Sequence, residues 1–576
     1  MSNDDEKPMV GSYRPKSRRC CVVSVLSVSL VLILVLCIAI PLGVKNSKND
    51  DGDNGVNVAC QATEYPEACR ESVAGSDGTP VGMSRSSVKS STDELSYLQA
   101  NTTDEQCKEI LADGVAAFQR VLVALETTNH TLVEETCADV QTDLSAVLTY
   151  VDTCKEMMQE SGSAEFHSFV QRALKSEQFT GNSLALINGI CLYGGNLKNW
   201  AGKNFGVSMP DLDQFYGGGP SRRLMNADPY NDEGEEIQLP SWMDSATSRH
   251  LLTRPASYNV IVAKDGSGKY RTVGEAIMKA PKTGDKYAKR YVIYVKAGVY
   301  DEQIIIPKKL TNLMIIGDGI DKTIFTGSRN VALMKGMTTY LSGTMIVQGD
   351  GFVGRLFTCR NTAGASGHQA VATRVTADKV AFHRVKFDGF QDTLYCHALR
   401  QFYRDCVVIG TVDFIFGNAN AVFQNCQIIA RKTTLRGQQN TYTAQGRVNK
   451  YQNTGLAFQD CNFDGTADLK RNVQYYPTYL GRPWKAYSVC VLLRPTIQAH
   501  LDPAGWLPWN TTNFGLYTSF FAEYKGKGPG SNRRSRVKWS HEIKNPRVAN
   551  RYQAASFING KSWITNIGMP YTLQPV

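Results

Sequence analysis

A repeat limits the possible folds of this chain more than any other feature. Phe382, Tyr403, Phe423 and Phe458 each stand three residues before Val385, Cys406, Cys426 or Cys461, and the first three aromatics are 21 and 20 residues apart. The surrounding sequence is short Val/Ile/Phe/Tyr runs broken by Gly, Asn and Asp, the texture of strands. A period of about 20 residues in such sequence predicts one coil of a parallel β-helix per repeat. A sandwich of short strands is the alternative. In a coil, residues one period apart stack on neighbouring rungs, about 4.8 Å apart. Cys406 and Cys426 then fall within the Cα separation a disulfide permits. Gln369 and Gln391 are 22 apart, and Asp392 and Asp413 are 21 apart. Two carboxamides and two carboxylates are expected on one face.

That cluster has chemical content. Asp392 lies in FDGFQDTLY and Asp413 in GTVDFIFGN. Apolar flanks are an expensive setting for a carboxylate unless it is paired or functional. Two close carboxylates do not ionise equally easily, so one keeps its proton, giving an acid and a nucleophile or base from identical side chains. Glutamine N–H donors suit a developing oxyanion. Asp is also a common turn residue in β-solenoids, and either Asp alone reads equally well as a cap. There is no G-x-S-x-G elbow, HExxH, P-loop or Cys-x-x-Cys pair.

The front of the chain differs. Residues 1–250 hold 20 basic and 34 acidic side chains, and residues 251–576 hold 43 and 19. The basic back half favours a polyanionic partner, nucleic acid or acidic polysaccharide. Mutual attraction of two domains is the plainer reading. From Cys60 to about Ala201 apolar residues recur at helical spacing: Ile110, Leu111, Val115, Phe118, Leu122 and Leu125 in one stretch, Val140, Leu144, Val147, Leu148 and Val151 in the next. Amphipathic helices with this period predict a helical bundle. Cys60 and Cys69 are close enough to bridge locally. Cys107 starts one helix and Cys154 ends another, so an antiparallel pair brings them together.

Residues 20–44, from Cys20 to Val44, carry no charge and are long enough to span a bilayer. Basic residues before them place the N-terminus in the cytoplasm. An uncleaved anchor is the expectation, a cleaved signal peptide the alternative. Either exports the rest, which makes disulfides available. Sequons at Asn101, Asn129 and Asn510 fit that route. Between the halves, SRRLM (Ser221–Met225) and SRHLL (Ser248–Leu252) stand in loop-like sequence, as processing sites or as basic loop patches.

GHQAV (Gly367–Val371), GFQDTLY (Gly389–Tyr395), GTVDFIFGN (Gly410–Asn418), NTYTAQGR (Asn440–Arg447) and YLGRPWKAYS (Tyr479–Ser488) resemble signature segments of plant pectin methylesterases. The likeness runs from about Tyr258 to the C-terminus. CQATEYPEAC (Cys60–Cys69), the helices and Cys107/Cys154 resemble the inhibitor-like domain that precedes the enzyme in many plant precursors. The resemblance implies a right-handed parallel β-helix that hydrolyses galacturonate methyl esters of pectin, without metal or cofactor. It implies Asp413 as nucleophile, Asp392 as general acid and then base, and Gln369 and Gln391 on the oxyanion. It further implies Arg482 paired with Asp413, Trp484 as a stacking face for a sugar, and Thr339 as a substrate contact; Trp484 alone reads as core packing. The expected partition is a cytoplasmic tail (1–19), an anchor (20–44), a linker (45–58), a four-helix inhibitor-like domain (59–205), a processing linker (206–255) and a β-helix (256–576). The implied partner is methyl-esterified homogalacturonan, not nucleic acid, in the cell wall. The helical domain is a further partner, within the chain or as a separate inhibitor. The competing function is a non-catalytic pectin-binding or pectinesterase-inhibiting protein.

Overall fold

The computed structural model describes residues 50–127, 132, 134–203, 205, 258–281 and 290–572. The candidate anchor and both basic clusters lie outside the described residues. Among those described, no helix is long and apolar enough to cross a membrane.

Among the described residues six helices come first: α1 (Asp50–Gln61), α2 (Pro66–Ser72), α3 (Pro80–Ala100), α4 (Glu105–Glu126), α5 (Glu134–Ser161) and α6 (Phe166–Tyr193). Their starts follow local chemistry. Pro66 and Pro80 occupy first turns, where a missing N–H costs nothing. Thr79 accepts from the Gly82 N–H at 3.0 Å and Asp104 from the Cys107 N–H at 2.9 Å, satisfying donors the helix leaves open. The four long helices form a bundle in which α4 packs on α3 and α5, and α6 on α3 and α5. Ile110, Leu111, Phe118 and Leu125 of α4 and Val140, Leu144, Val147, Leu148 and Val151 of α5 are buried in its core. Val115 and Leu122, expected on the same face, are only partly buried at its edge.

Three parallel sheets of 11, 7 and 8 strands follow, and hydrogen-bonded neighbours within each are mostly three strands apart in sequence. The chain therefore visits three faces in turn and climbs one rung per circuit, a parallel β-helix. The aromatic repeat is its ladder. Phe382 pairs in register with Tyr403, Tyr403 with Phe423, and Phe423 with Phe458. Their rings stack at centroid separations of 5.4, 4.4 and 4.7 Å. Two residues after each aromatic the backbone turns a corner with positive φ, at Arg384, Asp405, Asn425 and Asp460. Asp and Asn tolerate that conformation better than most residues, so the corner recurs cheaply.

Cys60–Cys69 forms the local disulfide, and Cys137–Cys191 ties α5 to α6. Two expected bridges are absent. Cys406 and Cys426 do stack on neighbouring rungs, but both are buried thiols. In-register strands hold their Cβ vectors parallel, whereas a disulfide needs them to converge. Each sulfur instead lies against the rung before it: Cys406 Sγ donates to the Phe382 carbonyl and Cys426 Sγ to that of Tyr403, both at 3.5 Å. Cys107 and Cys154 are neighbours in the bundle core and also remain thiols.

Candidate active site

Asp392 and Asp413 occupy a second corner column, each with positive φ. Asp392 donates its N–H to the Val412 carbonyl at 3.1 Å, which locks the two corners onto adjacent rungs. Each is preceded at three residues by a glycine. A Cβ on Gly389 would stand 2.7 Å from Thr393 Oγ1, and one on Gly410 would stand 2.2 Å from Phe414 Cβ. Only glycine lets the corner fold back this tightly. The two carboxylates keep 6% and 5% of their exposure, so each needs compensation.

The compensation is unequal. Arg482, on the strand Thr478–Pro483, holds Asp413 in a fork: Nε lies 2.9 Å from Oδ1 and Nη2 lies 2.6 Å from Oδ2. Thr441 donates its hydroxyl to Asp413 Oδ1 at 2.5 Å, while the Asp413 N–H donates to Thr441 Oγ1 at 2.8 Å. Asp413 is thereby oriented by three side-chain donors. Asp392 has no such fork. Burial, then the Asp413 and Glu160 charges, push its carboxyl well above the usual carboxylate range. Of two identical side chains, one is tied to a fixed cation and the other is left to hold a proton.

A cavity of about 300 Å³ opens above the pair. Gln369, Gln391, Thr339, Arg482 and Trp484 all line it. Every residue singled out from the sequence for catalysis or substrate contact thus reaches one cavity. The rungs carrying the glutamines are bonded, with the Ala370 N–H donating to the Gln391 carbonyl at 3.3 Å. Trp484 packs edge-on against Phe416, which stacks on Tyr395 at 4.2 Å.

Several residues went unseen in the sequence. Trp509 lines the cavity and lies 4.4 Å from the Arg482 guanidinium, a cation–π contact that braces the fork. Tyr340, Tyr395 and Phe416 also line it. Tyr395 and Phe416 sit inside quoted motifs, so their motif membership was the available signal; Trp509, outside all of them, had none.

The largest surprise is the roof. Thr153, Glu156, Met157 and Glu160 of α5 line the same cavity. α5 lies across the β-helix with its polar side down. Asn418 Nδ2 donates to Thr149 Oγ1 at 2.9 Å, and Gln452 Nε2 donates to the Ser145 carbonyl at 2.8 Å. Thr153 Oγ1 and His397 Nε2 are 2.7 Å apart. Lys485 pairs with Asp152 at 2.8 Å and Glu156 at 2.6 Å. The Thr339 N–H and hydroxyl donate to the Glu160 carboxylate at 2.8 and 2.6 Å. Residues 145, 149, 153, 156 and 160 recur every three or four positions, one stripe of a helix.

Comparison with known proteins places this geometry. The pectinesterase family model matches residues 259–561, and the plant invertase/pectin methylesterase inhibitor model matches residues 54–186. "Probable pectinesterase/pectinesterase inhibitor 13" of Arabidopsis thaliana is 36% identical over 549 residues, covering 91% of this chain and 83% of that protein. "Pectinesterase 2" of Citrus sinensis is 38% identical over 472 residues, 81% of each chain. The solved pectin methylesterase from carrot is 46% identical and superposes with a TM-score of 0.53, covering 55% of this chain and 98% of that one. The chain belongs to the pectinesterase family, and its residues 54–186 are similar to the plant invertase/pectin methylesterase inhibitor family.

Proposed function

We propose that the protein hydrolyses galacturonate methyl esters in pectin, releasing methanol and leaving pectate. The observation that carries this reading is the buried Asp392/Asp413 pair, one member forked by Arg482 and the other without such a fork and pushed up by burial, in the cavity of a pectinesterase-family chain. Asp413 attacks the ester carbonyl carbon, and the carbonyl π electrons move onto oxygen. The Gln369 and Gln391 amides donate to that oxyanion. As the tetrahedral species collapses, the C–O bond to methoxide breaks and Asp392 gives its proton to the departing oxygen, forming methanol. The galacturonate is left as an anhydride on Asp413. Asp392, now a carboxylate, takes a proton from water as the water oxygen adds to the acyl carbon. Asp413 departs as the carboxylate and Asp392 is again protonated. The product acid then loses its proton to solvent. Trp484 offers the sugar a stacking face, and Thr339 a polar contact.

The helical domain fits a latent pro-region, because α5 closes the cavity a polymer must enter. In this reading residues 20–44 anchor the precursor, the sequons carry glycans, and cleavage at Ser221–Met225 or Ser248–Leu252 frees the enzyme in the cell wall. The β-helix occupies 256–576 and the inhibitor-like domain 59–205. The covered cavity also favours a second reading, a chain that binds pectin or restrains other esterases without catalysis. One experiment separates them. A full chain carrying a specific protease site in place of Ser221–Met225 is nicked, and methanol release from esterified pectin is followed. The first reading expects release that grows as dilution frees the helical fragment and that collapses in Asp413→Ala; no release from the nicked parent at any dilution supports the second.

A further inference from the structure

The turn that delivers Gln391 and Asp392 to the cavity is gripped from outside by an arginine that the chemistry has not used. Arg431 is the first residue after the strand Gln427–Ala430. Its side chain reaches back past the strand Val407–Gly410 to the strand Lys386–Asp388. Nη1 donates to Asp388 Oδ1 at 2.8 Å and to the Gly389 carbonyl at 3.0 Å. The guanidinium carbon lies 4.4 Å from the centre of the Phe390 ring. Three consecutive residues are held, and the next two are Gln391 and Asp392. The other oxygen of Asp388 accepts from Arg360 Nε at 3.0 Å, so this buried carboxylate is tied on both sides. Arg431 meets the nucleophile's turn as well. Its N–H donates to the carbonyl of Gly410 at 2.8 Å, in the turn that leads to Asp413. The Thr411 N–H donates to the Phe390 carbonyl at 2.9 Å and joins the two turns directly. One residue therefore holds the acid's turn with its side chain and the nucleophile's turn with its backbone. Neither Arg431 nor Asp388 lines the cavity, so they act on where Asp392 stands and not on the sugar.

We infer that Arg431 is a positioning residue for the general acid, holding the Gln391–Asp392 turn in fixed register with Asp413. The inference rests on the esterase reading. Proton delivery to a departing oxygen is sensitive to geometry, and a misplacement of about 1 Å costs about 10²-fold. The acid sits at a corner with positive φ, beyond the end of the strand Lys386–Asp388, so the strand ladder does not fix it. Arginine suits the task because its planar fork holds a carboxylate and a carbonyl together while its face lies on a ring. A half-exposed ion pair alone contributes little. The hold comes from three neighbouring residues gripped at once.

The test uses the nicked full chain and two substrates, the methyl ester and the trifluoroethyl ester of polygalacturonate. Trifluoroethoxide is the weaker base, so it departs with less help from an acid. The readout is the ratio of kcat/KM for the methyl ester over the trifluoroethyl ester. The fraction of enzyme that is folded and uncovered cancels from this ratio. Arg431→Met is expected to lower the ratio about tenfold, part of the 10²–10⁴ that a positioned general acid supplies. Asp388→Asn keeps the shape of the partner and should move the ratio the same way by about threefold, the size of a half-exposed ion pair. It decides the matter if Arg431→Met does not fold. Arg494→Met is the control. Arg494 forks Asp460 at 2.8 and 2.7 Å on another corner column, and neither residue lines the cavity. Its loss should leave the ratio unchanged. With the parent active, an unchanged ratio in Arg431→Met and Asp388→Asn overturns the positioning role and leaves the esterase standing. Equal losses on both esters do the same, because a purely structural role lowers both alike. A parent that releases neither alcohol at any dilution overturns the esterase reading, and the positioning role with it.

Discussion

The helical domain and the β-helix reach order by opposite routes, and they meet at one face. In the bundle, each helix buries an apolar stripe against its neighbours. α3 and α6 also bury polar residues, but Ser87 and Ser91 of one meet Ser183 of the other inside the bundle, whereas the buried polar stripe of α5, including Thr142, Ser145, Thr149 and Thr153, faces the β-helix. The stripe's threonine hydroxyls donate to carbonyls one turn back in α5, at Ala138, Ser145 and Thr149, and the β-helix adds further partners through His397, Asn418, Gln452 and Asn453. The β-helix has no such dependence for its core: its aromatic ladder, thiol column and corner residues repeat within itself. The inner core of the β-helix is built from its own rungs, although Tyr340, Tyr395, Phe416 and Tyr451 on its face pack into the bundle's apolar cluster, and the polar stripe of α5 meets that same face. The charge imbalance of the two halves is thus resolved into particular pairs, Lys485 with Asp152 and Glu156, Arg400 with Asp139, and Lys308 with Asp113.

If the chemistry belongs wholly to the β-helix, Asp392→Asn in the nicked chain should lower kcat for methanol release by about 10²–10⁴, the usual span for a general acid–base. Near-normal release would break the division. The next effect concerns stability. Phe423 sits in the middle of the ladder, and Phe423→Ala should cost the β-helix about 3–5 kcal/mol. Calorimetry should show its transition fall, with the helical transition unmoved if the two cores are independent.

The join itself should depend on pH. Burial pushes Glu156 up from its ordinary 4.5 to about 8, against the pull of Lys485 and helped by the Asp152 and Glu160 charges. With α5 lifted away, Glu156 returns toward its ordinary value. The covered state then holds an extra proton in the interval between. Its share of the hold is full below about 4.5, is lost as pH rises, and levels off above about 8. The affinity of the helical fragment for the nicked enzyme, measured across this interval, should fall with rising pH, and Glu156→Gln should flatten that slope. The smallest effect is at the other end of the stripe. Glu160→Gln removes the charge facing Thr339, and basal methanol release by the intact chain should rise a few-fold, as expected for weakening a single charged hydrogen bond. No change would mean that Glu160 only fills space.

Much of the fold was legible because a solenoid writes its period into the chain. Phe382, Tyr403 and Phe423 announce neighbouring rungs, and the same arithmetic put Asp392 beside Asp413 and Gln369 beside Gln391. What spacing does not carry is direction. Cys406 and Cys426 are rung neighbours as expected, yet parallel Cβ vectors keep them apart. The Cys107 and Cys154 helices run together as expected, but those two are free thiols, while Cys137 and Cys191 are joined. The Arg482 fork was implied by its motif, whereas the Trp509 brace on it depends on how a distant loop returns.

The chain's order of residues alone settled its period, its two textures and the chemical types gathered at the cleft, because each of these is a local pattern or a fixed number of residues per coil. Only the folded molecule decided that α5 roofs the cleft. Glu160 and Thr339 are 179 residues apart, and nothing periodic links them. Their meeting depends on two finished surfaces matching in shape and charge, and that match exists only once both domains have folded.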